Sequence, residues 1–229
     1  PVSVSDRFIA RADCAMIAHG RGEAFDYLLG ERTTPSATAA SRQALAVLQS
    51  AKRPVLSVNG NVAALACDDM LRLADVLQCP LEVNIFYRTP ERMEAILSYI
   101  NERKDALGLD VTVLGDAPDA TIPGLKGPRA ACHREGILES DAILVPLEDG
   151  DRCQALVAMG KTVVVIDLNP LSRSAQQASI TIVDELSRAL NTMLALAENE
   201  GPLPVDEAYD HGAILEAGLG EILSGFNRP

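Results

Sequence analysis

Two arginines stand where this chain could handle phosphate. Arg173 lies in VVVIDLNPLSRSAQQ (163–177). There a β-branched run stops at Asp167-Leu168-Asn169-Pro170, and serine follows as a helix cap. The pattern reads as strand, polar turn and helix start. Free backbone N–H groups and a guanidinium would then meet at a strand end, which is a recipe for holding phosphate. An ordinary capped connection with a surface arginine fits the same residues. Arg21 sits between two glycines in His19-Gly20-Arg21-Gly22-Glu23, where a bare backbone can pass close to a ligand. A helix end followed by a second helix, with Arg21 in solvent, fits equally well.

Other polar groups fall at the ends of apolar runs. Pro54–Val58 enters Asn59-Gly60-Asn61, a strand–turn–helix start like that of a nucleotide-binding unit. Asn59 and Asn61 offer amides suited to hydroxyls or a carboxylate, although asparagine–glycine is also a common turn pair. The stretch is neither G-x-G-x-x-G nor a Walker A loop, which speaks against a dehydrogenase and a P-loop kinase. The run 81–86 leads to Arg88, with Thr89 and Pro90 as the cap and first residue of the next helix. Glu148, Asp149 and Asp151 follow another apolar run. They could hold Mg²⁺ beside substrate phosphates or cap the helix predicted over 152–159, and capping is favoured.

The elements that must position these groups alternate. Helices are expected over 6–18, 36–49, 62–77, 91–107, 152–159 and 184–197, and strands over 54–58, 81–86, 111–114, 142–145, 163–166 and 180–183. His19–Glu23 interrupts the N-terminal helical pattern. Residues 115–140 lack clear periodicity but gather Lys126, Arg129, His133 and Arg134; a connection this long is usually functional or mobile. The alternation predicts an α/β fold, a doubly wound Rossmann-like and largely parallel sheet with N- and C-terminal helical additions. One domain is expected over 1–229, with N-terminal helices to 50, a core over 53–186 and a helical tail over 187–229. In that sheet Asn59, Asn61, Arg88, Glu148, Asp149, Asp167, Asn169 and Arg173 share the carboxyl edge, where such folds place ligands.

Composition narrows the classes. Apolar residues make up 48% of 229, enough for a sizeable core, but aromatics are 3% and tryptophan is absent, so base-stacking platforms are not expected. A net charge of −12 argues against nucleic acid and anionic membranes while allowing a small anionic ligand. The five cysteines have no C-x-x-C spacing, which fits a reduced protein without a cysteine metal site. No apolar run nears the roughly 20 residues that span a bilayer. A cytoplasmic protein is expected.

IAHGRGEAFDYLLGERT (17–33), PVLSVNGNVAAL (54–65), VNIFYRT (83–89), VPLEDGDRCQALVAMGK (145–161) and IDLNPLSRSA (166–175) resemble, in that order, the archaeal phosphopantothenate synthetases, or 4-phosphopantoate–β-alanine ligases. The resemblance runs from about residue 15 to 186. It implies an enzyme of coenzyme A biosynthesis, condensing 4-phosphopantoate with β-alanine at the expense of ATP, with release of AMP and pyrophosphate through an acyl-adenylate. It also implies Mg²⁺ with the ATP and a homodimer; family members usually carry an extra N-terminal segment with a nucleotide-contacting arginine, which has no counterpart in these residues.

By the same resemblance, ATP contacts fall on Arg21, Asp167, Leu168, Asn169, Arg173, Ser174, Glu185 and Leu186. Arg21 and Arg173 would neutralise phosphates, and Asn59, Asn61 and Arg88 would hold phosphopantoate. His19 would orient a phosphate or accept the amine proton; a structural role fits it as well. The Mg²⁺ ligands stay open. The competing class is a nucleotide- or phosphometabolite-binding sensor on the same fold without turnover.

Overall fold

The computed structural model describes the backbone of residues 12–225 and the side chains of residues 21–225. The main sheet has six parallel strands: β1 (Pro54–Val58), β2 (Leu81–Val83), β3 (Val113–Leu114), β6 (Ala142–Leu144), β7 (Thr162–Ile166) and β8 (Ile180–Ile182), ordered β3-β2-β1-β6-β7-β8. Counted within this sheet, the order is 3-2-1-4-5-6, that of doubly wound nucleotide-binding folds, with the reversal between β1 and β6. Register follows the β-branched runs: Val55 faces Ile143, and Ile143 faces Val163.

Alternate residues of each strand feed two cores. Val164 and Ile166 point to the side packed by α2 (Pro35–Ser50), α3 (Gly60–Leu77), α4 (Pro90–Leu107) and α7 (Leu186–Glu200). Val163 and Val165 point to the side packed by α5 (Gly150–Ala158), where Cys153 and Leu156 meet them. Two faces covered by helices explain why the strands read as unbroken apolar runs. α6 (Arg173–Gln177) links β7 to β8, and α8 (His211–Ser224) lies against α1 (Ala12–Leu29), α2 and β8.

Three expectations are corrected. The predicted interruption at His19–Glu23 is absent: α1 runs unbroken through both glycines. Each glycine disfavours helix by about 1 kcal/mol, but here packing decides. A Cβ on Gly22 would stand 3.5 Å from Leu168, and Asp26 of α1 pairs with Arg188 of α7. The unpatterned stretch 115–140 is structured. It holds the antiparallel ribbon of β4 (Ala120–Thr121) and β5 (Ala131–Cys132), and a π-helical turn at Arg134–Leu138. Ile122, Cys132 and Ile137 bury themselves in the second core; elements this short show no period. The strand expected over 81–86 ends at Val83, because Asn84 turns its amide to the ribbon. Among the described residues, no helix is long and apolar enough to cross a membrane.

Candidate active site at the carboxyl edge of the sheet

Asp167 ends β7 and organises the turn after it. Its Oδ1 accepts from Asn169 N at 2.9 Å, and its Oδ2 accepts from the Ser172 hydroxyl. Burial pushes its carboxyl above the usual aspartate range, and the two donors oppose that shift. Asn169 closes the next turn by accepting from Leu171 N at 3.0 Å, while Ser172 caps α6 by accepting from Ala175 N at 3.0 Å. Polar side chains thus satisfy a backbone that must leave the sheet.

Arg173 opens α6, is exposed, and forms an ion pair with the exposed Asp151. Its side chain lies across Gly150, the first residue of α5; a Cβ there would stand 2.6 Å from Arg173 Cβ and 3.2 Å from Nε. Asp149 occupies the cap position of α5 but makes no side-chain cap bond. The positive end of the α5 dipole and the guanidinium therefore share one place. Ser174 points inward: its hydroxyl donates to Glu148 O at 2.5 Å.

α1 lies beside this turn, since Gly22 abuts Leu168. Arg21 is exposed on α1. His19 is on the same helix, but its side chain lies outside the described residues. α1 is tied to the end of β8: Arg188 bonds Asp26 and Asp184, and Thr33 Oγ1 donates to Asp184 Oδ2 at 2.6 Å. Glu185 caps α7 by accepting from Ser187 N and Arg188 N at 2.9 and 3.1 Å, and Leu186 is buried in the first core. The fold thus brings Arg21, Asp167–Asn169, Arg173, Ser174 and Glu185 to neighbouring strand ends.

At the β1–β6 seam, Asn59 uses its whole amide. Oδ1 caps α3 by accepting from Asn61 N and Val62 N at 3.0 and 3.1 Å; Nδ2 donates to Pro146 O and Leu147 O at 3.2 Å each. Leu147 adopts φ 52°, a left-handed conformation rare for a γ-branched residue. Asn61 is half-buried in the first turn of α3.

Arg88 stands further along the edge, beyond β2. It donates to Gly115 O, and burial lowers its pKa while Glu82 and Asp116 raise it. With Thr89, Met93, Glu94, Leu97, Ser98 and Asp116 it lines an open cleft of about 600 Å³. Thr89 caps α4, accepting from Arg92 N at 3.3 Å, with Pro90 first in the helix, as expected.

Of the acidic triplet, Asp149 holds the cap position and Asp151 the first turn of α5, and the reading is corrected at Glu148. Glu148 neither caps α5 nor faces solvent: its side chain is 1% exposed and sits between Arg129 and the fully buried Arg152. Arg129 reaches Glu148 Oε1 and Oε2 at 2.6 and 2.8 Å and Asp149 Oδ2 at 3.1 Å. Arg152 also donates to Ser57 Oγ at 3.1 Å. Among the described residues, no group of three or more His, Cys, Asp or Glu is arranged to hold a metal ion.

Arg129, Arg152, Asn84 and Glu82 were missed as edge residues. Glu82 is buried in β2, and its oxygens accept from His133 N and Ile137 N at 2.9 and 2.7 Å. The signals that could have found them were a glutamate and an asparagine inside an apolar run and an arginine four residues after Glu148.

A model of the phosphopantothenate/pantothenate synthetase family matches residues 36–215. A protein of Thermococcus kodakarensis named 4-phosphopantoate–beta-alanine ligase is 48% identical over 210 residues, covering 89% of this chain and 79% of that protein. Relatives of the same name in Thermococcus onnurineus and Methanosarcina mazei are 49% and 47% identical, covering 89% and 90% of this chain and 79% and 82% of their own lengths. These archaeal relatives align across the strands and loops that build the edge, and the chain belongs to the phosphopantothenate/pantothenate synthetase family.

Proposed function

We propose that this chain is an ATP-dependent 4-phosphopantoate–β-alanine ligase. The observation that carries the proposal is the guanidinium of Arg173 lying across Gly150 at the uncapped start of α5, next to the Asp167 turn. In this reading Arg173 and Arg21 neutralise the ATP phosphates, and Asp167, Leu168 and Asn169 read ribose or adenine. Ser174 acts from below by fixing the Glu148 carbonyl, and Glu185-Leu186 closes the nucleotide side.

Arg88 follows β2 and Arg173 follows β7, on opposite sides of the β1–β6 seam. Phosphopantoate would lie along the edge between them, its phosphate at Arg88 and its carboxylate near the ATP α-phosphate. Asn59 supports this track by holding the loop at the seam, and Asn61 borders it.

The pantoate carboxylate is ionised at neutral pH, so its attack on the α-phosphorus needs charge neutralisation and alignment more than a base. A carboxylate oxygen bonds phosphorus and pyrophosphate leaves. The β-alanine amine then attacks the acyl carbon of the adenylate, AMP leaves, and the amine gives up a proton, for which His19 is the candidate acceptor. Mg²⁺ would accompany the ATP phosphates and take at most one or two protein carboxylates, Asp149 and Asp151 being the exposed ones.

We propose further that the chain acts as one domain in the cytoplasm and as a homodimer. The exposed Tyr27, Leu28 and Leu223 of α1 and α8 support the latter. The test is release of AMP and pyrophosphate with ATP, Mg²⁺, 4-phosphopantoate and β-alanine, each omitted in turn. Release that needs all of them is expected. Release with pantoate in place of 4-phosphopantoate overturns the substrate, and ATP binding without release points to a sensor.

A further inference from the structure

We propose that Arg129 is a positioning residue: it clamps the β4–β5 ribbon onto the β6 loop, residues 146–151, and so holds Asp151 and Gly150 where Arg173 needs them. The inference rests on the ligase reading for its kinetic consequences.

Arg129 belongs to the short turn Pro128–Ala130, outside the sheet, yet the residue is 8% exposed. Its Nε donates to Asn84 Oδ1 at 3.2 Å, and Asn84 Nδ2 donates back to Arg129 O at 3.2 Å and Ala131 O at 2.9 Å. That reciprocal lock joins the ribbon to the end of β2. The two terminal nitrogens of Arg129 reach both oxygens of Glu148, and Asp149 as well. One guanidinium therefore spans from β2 to the β6 loop, across the place where strand order reverses.

A buried pair of this kind is weak evidence for stability, since desolvation opposes the Coulomb gain. Its location at the reversal points to registry. Asn59 holds Pro146 O and Leu147 O, Ser174 holds Glu148 O, and Arg129 holds the Glu148 and Asp149 side chains. Three different segments thus converge on one loop, whose next residues are Gly150 and Asp151, the neighbours of Arg173. Arg152 is buried and already held by Glu148 and Ser57, so it has little scope to replace Arg129.

The experiment compares full-length wild type, Arg129→Gln and Arg129→Lys by amide hydrogen exchange and by steady-state kinetics well below each melting temperature. For Arg129→Gln, exchange should rise at least tenfold in residues 146–151 and stay within twofold in β7 and β8. The kcat/KM for ATP should fall at least 30-fold, and Arg129→Lys should recover part of both. Unchanged exchange in 146–151, or a uniform rise across the sheet, overturns the clamp. A loosened loop with unaltered kinetics overturns its positioning role. If wild type itself releases no AMP, the ligase reading fails, while the exchange pattern still decides whether Arg129 holds the loop.

Discussion

Gly150 and Arg173 are in contact such that a single added methyl would place carbon 2.6 Å from carbon. Alanine is the better helix former by about 1 kcal/mol, so glycine at the start of α5 runs against local preference. The neighbour it would meet is Cβ, anchored to the backbone of α6, so a rotamer change offers no relief. Gly150→Ala should leave the circular dichroism spectrum intact and raise the KM for ATP about tenfold, or ~1.4 kcal/mol. Arg173→Ala is the reference in the same assay, with an expected loss of about 10²–10³-fold in kcat from lost charge stabilisation. An alanine variant at 150 with native KM would show that the contact does not set the position of Arg173.

Arg88 and Arg173 should separate kinetically. Arg88→Ala removes a cation from the cleft beyond β2. It should raise the KM for 4-phosphopantoate by about 10–100-fold, from ~1.5–3 kcal/mol for a hydrogen bond to a charged group. The KM for ATP should hardly move. Equal changes in both constants would mean that the two arginines serve one ligand.

Cys67, Cys79 and Cys153 have thiol pKa values pushed up to about 12, and Cys132 to about 11, with burial as the first cause. Native protein at pH 8 should therefore leave all four unlabelled by a thiol reagent, with full labelling after denaturation. The folded state keeps protons that the unfolded chain releases near pH 9. The contribution of these thiols to stability is complete below pH 9 and is lost as pH rises from 9 towards 12. Rapid native labelling of any of the four at pH 8 would contradict the packing described.

Asn59→Asp tests the seam. The carboxylate keeps the cap of α3, but it turns an oxygen towards Pro146 O and Leu147 O in place of a donor. Denaturant unfolding should show a loss of about 1–3 kcal/mol, although aspartate is as good a cap as asparagine. A variant as stable as wild type would mean that the two carbonyl contacts contribute nothing.

The parallel sheet was legible because strands covered on both faces carry no alternation: Val163–Ile166 announces burial by itself. The turn Asp167–Ser172 was legible because aspartate, asparagine, proline and serine each have one local use there, and each performs it. Arg129 was not, because its partners Asn84 and Glu148 lie 45 and 19 residues away, and its own segment is too short to show a period. Glu148 was misread for a related reason. A glutamate before a helix resembles a cap, and what makes it a buried ion is a guanidinium delivered from another segment. The helix runs through Gly20 and Gly22, where sequence spoke for a break, and at Gly22 it packs against Leu168.

The order of the strands has a consequence for how the molecule comes to exist. β1, β2 and β3 occupy one contiguous half of the sheet and β6, β7 and β8 the other, so each half closes through short-range crossovers. The seam between them joins Asn59 to a carbonyl 88 residues further along the chain. Contacts of that sequence separation carry a high loop-closure cost and are slow to form. The crevice is thus the join between two locally folded halves, and it comes into being when they dock. A nascent chain that has made β1 but not β6 holds Asn59 without the carbonyls it bonds. Ligands that bridge the seam should therefore speed refolding more than ligands confined to either half.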